Sequence, residues 1–200
     1  MSAAAAPFEP QTCVDELGEL LALSLADDLD LAFEQVVRTY QDRIVSLAAR
    51  MLRDPQRAEE VAQDVFVRAF RALRTYDRAR VRKLRLRPWL YAIAMNLIRN
   101  ATRGKHLQVV ALERDDGSPR PIADRAPPPD AQIEDKEDWE HVRTAIASLS
   151  PRLRDAFALR YVEELSYDEI AEALDQPVGT VKANAHRGLM AVRAFLEEHS

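Results

Sequence analysis

The sequence predicts an all-α fold of two small helical domains, and three features of its 200 residues support this class. Glycine is scarce, with 5 residues, and aromatic side chains make up only 6% of the chain, whereas sheet proteins usually need more of both. Apolar residues recur at helical spacing in two separate stretches. Between them, residues 107–137 lose that spacing and are rich in proline and acidic side chains, which is typical of a flexible linker.

Residues 1–28 form an acidic N-terminal extension that we expect to be flexible. They begin with a run of alanines and two prolines, and the leucines that follow suggest only a short helix with an acidic face. No basic residue occurs before position 33. An alternative is that residues 9–30 fold over the basic part of the chain and suppress its binding to an anionic ligand.

Residues 29–106 have the pattern of a three-helix domain. Apolar positions form one stripe up to residue 52, Asp54 and Pro55 end that helix and begin the next, and the stripe continues to Leu73. A basic loop follows, and Pro88 opens a third helix. The expected inward positions are Phe33, Val36, Val37, Tyr40, Ile44, Leu47, Ala48, Met51, Ala58, Val61, Ala62, Val65, Phe66, Ala69, Phe70, Leu73, Trp89, Leu90, Ile93, Ala94, Leu97 and Ile98.

Positive charge is concentrated in that loop. The chain has a net charge of −5, yet residues 33–106 carry 17 basic and seven acidic groups. Six of the ten residues from Arg78 to Arg87, here called the basic segment, are Arg or Lys. Such a cluster repels itself unless a partner neutralises it, so we expect it to bind nucleic acid; a solvated arginine-rich face is the alternative.

Residues 138–197 have the pattern of a helix-turn-helix domain. Ser166 and Glu169 form a capping box at the start of a short helix. Asp175–Pro177 makes a tight turn, and Pro177 begins a longer helix that buries Val181 and later apolar positions. A short helix, a tight turn and a longer helix are the arrangement by which many proteins read duplex DNA.

Four motifs in this order resemble those of the extracytoplasmic-function (group IV) sigma factors of bacterial RNA polymerase. Residues 58–66 resemble the polymerase-binding motif of region 2, and residues 88–96 resemble the start of its −10-reading helix. Residues 166–171 and 179–182 resemble the −35-reading helix-turn-helix of region 4. The resemblance implies region 2 over residues 29–106, a linker over 107–137, and region 4 over 138–197.

The resemblance also implies which residues bind. Region 2 would hold the melted −10 strand with aromatic, basic and amide side chains, although Trp89 equally suits a core position. These residues are Tyr76, Arg78, Arg80, Arg82, Lys83, Arg85, Arg87, Trp89, Tyr91, Asn96, Arg99, Asn100 and Arg103. Region 4 would read the −35 duplex with Val178, Gly179, Thr180, Lys182, Ala183, Asn184, His186 and Arg187. Core polymerase would bind Glu59, Glu60, Gln63, Asp64 and Arg68.

The implied partners are core RNA polymerase, through its β′ clamp helices and β flap, promoter DNA, and an anti-sigma factor. The free chain is then expected to be monomeric and cytoplasmic, without membrane insertion. Two alternatives remain open. One is a sigma-like mimic that sequesters an anti-sigma factor, and the other is a stand-alone helix-turn-helix regulator.

Enzyme functions find no support in the sequence. The single cysteine, Cys13, excludes an internal disulfide and a cysteine-based zinc site, and the four histidines lack metal-ligand spacing. No glycine-rich phosphate loop is present. We therefore expect no catalytic residue, no metal and no cofactor. The longest N-terminal apolar run, Leu20 to Ala26, is far shorter than a membrane span.

Overall fold

The structure is a computed structural model that describes residues 11–102, 142 and 144–198, with side chains from residue 16 onward. Helices joined by short turns make up its described residues, and no strand occurs among them. Residues 144–148 are also helical, and a π-helical turn over Ala158–Val162 continues helix α6. The helices are α1 (Gln11–Asp27), α2 (Leu29–Leu52), α3 (Pro55–Leu73), α4 (Arg78–Arg82), α5 (Leu86–Thr102), α6 (Pro151–Phe157), α7 (Tyr167–Leu174) and α8 (Val178–Glu198).

Aspartates start three of the first-half helices in the same way. The carboxylates of Asp28, Asp54 and Asp77 each accept a hydrogen bond from the backbone amide three residues later, at 3.1, 3.1 and 2.7 Å. This satisfies one of the amides that a helix leaves free at its N-terminus. Helix α2 ends at Arg53, whose backbone is left-handed with φ 57°. The break predicted at Asp54 and Pro55 therefore lies where the sequence indicates.

The first-half core follows the predicted stripe. Helices α2, α3 and α5 pack together, and most of the inward positions expected from the sequence are buried. Phe33, Val37, Phe70, Trp89 and Ile93 are less buried than expected and lie at the edge of this core. Helix α5 begins at Leu86, two residues before Pro88, so this proline occupies the first turn, where its missing N–H is tolerated.

Helix α1 differs from the flexible extension that we expected over residues 1–28. It packs on α2, α4 and α5, and Leu21, Ala22, Leu25 and Ala26 are at most 4% exposed. The acidic residues that flank these positions, Glu16, Glu19 and Asp27, are exposed and led the sequence analysis to expect only a short helix with an acidic face. Residues 1–10 lie outside the described residues.

The helix-turn-helix pattern is present in the second half. Ser166 Oγ accepts from the amide of Glu169, and Glu169 Oε2 accepts from the amide of Ser166, which completes the predicted capping box. Helix α7 ends at Asp175, whose φ of 52° turns the chain towards α8. Helix α8 passes close to α6 at Gly188, where an added Cβ would lie only 3.1 Å from the carbonyl oxygen of Leu153.

The two halves lie against each other rather than apart. Helix α5 packs on α7, and Leu159, Leu165 and Ile170 belong to the same apolar cluster as the first-half core. We call this contact the junction. A second, smaller cluster around Ile146, Phe157 and other residues lies within the second half.

Polar groups buried in the junction are paired across it. The guanidinium of Arg87 donates from Nη2 to the carbonyl oxygen of Glu163 at 2.6 Å and forms an ion pair with Glu169 at 3.5 Å. The hydroxyl of Tyr91 donates to Oε2 of Glu163 at 2.5 Å. Burial raises the pKa of both Tyr91 and Glu163 above their ordinary values. The tyrosine therefore stays protonated as the donor, and the charged carboxylate is held at an electrostatic cost.

The close approach at Gly188 leads to a stability prediction. Gly188→Val should lower the free energy of unfolding by about 1–3 kcal/mol, because the added carbons overlap the backbone of α6 and the ring of Phe157. Gly179→Ala is the control, since nothing lies within 4 Å of an added Cβ there. It should be neutral or stabilising by up to about 1 kcal/mol. Chemical unfolding measures both; equal effects would contradict the close packing.

The Tyr91–Glu163 pair leads to a pH prediction. Burial raises the pKa of Glu163 above its ordinary value of 4.5 in the folded protein. Its contribution to the free energy of unfolding is therefore greatest at acid pH, where the carboxyl is protonated, and declines as the pH rises from 4.5 through the raised pKa. Tyr91→Phe removes a donor that lowers this pKa, so the decline should steepen, with a loss of about 1–3 kcal/mol at neutral pH. Glu163→Gln keeps an acceptor without the charge and should flatten the profile. Unfolding free energies measured from below pH 4.5 to neutrality test this; parallel profiles would contradict it.

Candidate nucleic-acid interface

The basic segment folds as a short helix followed by an exposed turn. Asp77 caps α4, and Val81, only 4% exposed, anchors it to the core. The cations expected to bind DNA project around this anchor. Those exposed to solvent are Arg78, Arg80, Arg82, Lys83 and Arg85. The segment is therefore a rigidly seated positive surface rather than a loose loop.

Two aromatic rings flank this surface. Tyr76 and Trp89 are both half-buried, with ring centroids 6.2 Å apart and planes inclined by 59°. The guanidinium of Arg80 lies 3.6 Å from the centre of the Tyr76 ring, which is a close cation–π contact. Trp89 thus packs against the core and still borders the basic segment, so both of its expected roles fit this position.

Helix α5 turns some of the predicted −10 residues outward. Asn96 is exposed, and Asn100 is half-buried. Arg99 points instead to the second half, where its Nε donates to Oδ2 of Asp155 at 2.8 Å. Arg103 lies outside the described residues.

Two predicted −10 residues are corrected by the structure. Arg87 is 3% exposed and Tyr91 is 0% exposed, and both are bonded to the second half across the junction. In this arrangement neither side chain reaches the surface that a DNA strand would contact. The sequence identified Arg87 as one more cation of the segment, but its distant partners give no local signal.

Three of the exposed cations of the basic segment also have acceptors within the chain, and for Arg82 and Arg85 the acceptor is a carboxylate. Asp27, the last residue of α1, accepts from Arg82 through Oδ1 at 2.8 Å and from Arg78 through its carbonyl oxygen at 3.0 Å. Arg85 forms an ion pair with Glu172 of α7 at 2.8 Å. Charge that the sequence analysis assigned to an external partner is thus partly compensated from inside. Sequence analysis missed Asp27 and Glu172 as residues of this surface.

The N-terminal part of α8 presents most of the predicted −35 residues. Gly179, Thr180, Lys182, Ala183, His186 and Arg187 are exposed, and Val178 is half-buried. Asn184 is corrected: it is 5% exposed, and its Oδ1 accepts from Nη2 of Arg187 at 3.2 Å. The buried Asn184 side chain therefore orients Arg187 through this hydrogen bond and is not available to a phosphate. Lys182 Nζ lies 5.5 Å from the ring centre of Tyr167 at the start of α7.

The predicted polymerase-binding residues share the outer face of α3. Glu59, Glu60, Gln63, Asp64 and Arg68 are all exposed. Val67 lies on the same helix and is 46% exposed, which places an apolar side chain beside the polar ones. Sequence analysis missed this residue, although its position three after Asp64 on the outer face was the available signal.

Over the part of the chain that the structure describes, no group of three or more His, Cys, Asp or Glu side chains is arranged to hold a metal ion. Within the same residues, no helix has both the length and the apolar character needed to cross a membrane.

Comparison with known structures supports the fold. The chain aligns with CnrH in its complex with the cytosolic domain of CnrY, with a TM-score of 0.66, 22% identity, and coverage of 92% of this chain and 99% of that one. It also aligns with the sigma factor RpoE of Bartonella quintana in complex with the anti-sigma factor NepR, with a TM-score of 0.59 and 19% identity over 82% of this chain and 96% of that one.

Comparison of sequences supports the family. The family model of Sigma-70 region 2 matches residues 36–107, and that of Sigma-70, region 4 matches residues 140–192. The ECF RNA polymerase sigma factor SigW of Bacillus subtilis is 35% identical over 173 residues, which are 84% of this chain and 90% of that protein. The chain therefore belongs to the extracytoplasmic-function sigma factors, which direct promoter-specific transcription initiation by RNA polymerase.

Proposed function

We propose that this chain initiates transcription through three separate surfaces, one for each contact that initiation requires. The basic segment with its flanking aromatics holds the melted −10 strand, α8 reads the −35 duplex, and the outer face of α3 binds core polymerase. The observation that carries the proposal is the basic segment beside the Tyr76–Trp89 pair, on a different half of the chain from the exposed recognition helix.

The −10 surface has the chemistry that single-stranded DNA requires. Stacking on an aromatic ring contributes about 1–3 kcal/mol per base, and cations along the groove hold the phosphates. Tyr76 and Trp89 provide rings at one end of the segment, and Asn96 adds an exposed amide on α5. Arg80 lies over the Tyr76 ring in the free chain. When a base stacks on Tyr76, the Arg80 guanidinium either moves aside or stacks on the other side of that base.

The −35 surface is the exposed N-terminal part of α8. A recognition helix contacts base edges with its first residues, and Lys182 is the side chain here that best suits a guanine. Arg187, oriented by Asn184, and Thr180 lie nearer the phosphates. This helix carries few cations, so we expect the −35 contact to be less salt-dependent than the −10 contact.

The polymerase surface combines charge with one exposed apolar side chain. The carboxylates of Glu59, Glu60 and Asp64 are complementary to a basic, helical partner such as the β′ clamp helices. Val67 supplies the apolar contact that a specific interface needs near its centre.

We also propose an anti-sigma factor as a partner, because both structural relatives described above were solved in complex with another protein, which for RpoE is an anti-sigma factor. In this proposal the chain is monomeric when free, acts in the cytoplasm, where the polymerase is, and needs no cofactor. Its region 4 contacts the β flap while bound to polymerase.

Run-off transcription tests the function as a whole. Purified core polymerase is given a pool of genomic promoter fragments, with and without the full chain. We expect transcripts that share −35 and −10 motifs only when the chain is present. Stable core binding without any transcript, or no core binding at all, would contradict promoter-specific initiation by this chain.

A double substitution tests the −10 surface. Arg80→Ala with Lys83→Ala should weaken the promoter complex of the holoenzyme and reduce its salt slope by about 1.4, because two phosphate contacts to a single strand are lost. Arg38→Ala with Arg152→Ala removes the same charge from exposed positions on α2 and α6 and is the control. Filter binding over a range of salt concentrations measures both slopes; equal slopes would contradict the assignment.

A single substitution tests the −35 surface. Lys182→Ala should weaken holoenzyme binding by about 1–3 kcal/mol on promoters with the preferred −35 base and much less on promoters where that base is changed. Arg193→Ala, exposed further along α8, is the control. Competition between the two promoters measures the difference; a uniform loss on both would contradict base reading by Lys182.

A further inference from the structure

Lys182, proposed above to read a base of the −35 element, lies over an aromatic ring of the preceding helix. Its Nζ is 5.5 Å from the ring centre of Tyr167, the first residue of α7. A ring attracts a cation over distances up to about 6 Å. Lys182 is exposed, whereas Tyr167 is half-buried. The contact therefore joins a solvent-exposed cation of the recognition helix to a ring that packs against the rest of its domain.

The Tyr167 ring is itself held in place by neighbouring side chains. The guanidinium of Arg160 lies 4.9 Å from its centre, and Nη1 of the same arginine donates to the carbonyl oxygen of Leu165 at 2.9 Å. The side chain of Tyr161 hydrogen-bonds to that of Tyr167. Tyr161 also packs against Phe157, with ring centroids 5.2 Å apart. Because several groups fix its position, the ring can in turn fix the direction of a more flexible neighbour.

A lysine that reads a base benefits from such a neighbour. Guanine presents its N7 and O6 acceptors in the plane of the base, so the donor must arrive from one direction. An arginine meets this requirement with a planar, pre-organised fork, whereas a lysine carries its ammonium on a flexible four-carbon stem. Restricting the stem of Lys182 before DNA arrives lowers the entropy that binding has to remove.

An aromatic ring can orient this cation without consuming its hydrogen-bond donors. A carboxylate partner accepts a hydrogen bond and neutralises the charge, as Glu172 does for Arg85 at 2.8 Å. A ring face attracts the ammonium through its quadrupole, which leaves the three N–H donors of Lys182 able to bond to a base. The Tyr167 ring is therefore suited to holding a side chain that must still bind DNA.

We propose that Tyr167 is a positioning residue for −35 recognition, which directs Lys182 towards its base through the cation–π contact. The inference rests on the proposed base reading by Lys182. It makes the preference of the chain for one −35 base depend on a side chain of α7, the first helix of the helix-turn-helix. The ring acts through Lys182, and its hydroxyl is not required.

Nuclear magnetic resonance of the full chain measures the contact without DNA or polymerase. An aromatic ring shifts the resonances of protons near its face, so the ε-protons of Lys182 should be displaced in the unsubstituted chain and in Tyr167→Phe. In Tyr167→Leu they should return to the ordinary position for lysine. Lys182→Ala identifies the signal by removing it. An undisplaced signal in the unsubstituted chain, or an unchanged one in Tyr167→Leu, would overturn the inference.

Competition between two promoters, with and without the preferred −35 base, measures the consequence in the holoenzyme. Tyr167→Leu should reduce the preference about two- to fivefold, which is the effect expected of an exposed cation–π contact. Tyr167→Phe keeps the ring and should keep the preference. In a chain that already carries Lys182→Ala, Tyr167→Leu should cause no further loss of preference, because the cation on which it acts is absent. Chemical unfolding of both Tyr167 variants separates these effects from a loss of fold.

The outcomes separate the inference from the function on which it rests. A loss of preference in Tyr167→Leu that is equally large with and without Lys182 would overturn positioning, and so would equal weakening on both promoters. Equal losses in Tyr167→Phe and Tyr167→Leu would assign the effect to the hydroxyl and would also overturn it. A preference that survives Lys182→Ala would instead overturn the proposed base reading, whatever the Tyr167 variants show.

Discussion

Compensation of the positive charge in the basic segment is the constraint on which the arrangement of the two halves depends. Arg87 is the clearest case, because its side chain is only 4% exposed and a buried guanidinium must be paired. Its partners, Glu163 and Glu169, both belong to the second half. Removing one member of such a buried pair costs more than the intact pair contributes. The contact between α5 and α7 therefore forms or breaks as a unit.

Helix α5 serves both halves through one buried face. Leu90, Ala94 and Ile98 face the first-half core. Arg87 and Tyr91, one helical turn apart, lie on one face and bind Glu163 of the second half. Asn96 remains exposed. A 17-residue helix whose buried face contacts both halves has little freedom to rotate, so the exposed side that carries Asn96 is fixed by contacts on the opposite side.

Features set by neighbours in the sequence were predictable, and those set by distant partners were not. The break at Asp54 and Pro55 and the capping box at Ser166 depend on residues within one turn, and both are present. The burial of Tyr91 depends on Glu163, 72 residues away, and nothing local indicates it. Asn184 is an intermediate case. Its polar type suggested the surface, whereas its spacing of three from buried Val181 places it on the inner face of α8.

Helix α1 is held in place by buried apolar side chains, whereas its charged Asp27 is exposed at its C-terminal end. Leu21 and Leu25 are buried, and burial of side chains of this size stabilises by about 1.5–3 kcal/mol each. The exposed Asp27–Arg82 pair contributes far less and is weakened by salt. Salt or a competing phosphate therefore releases Arg82 without detaching α1.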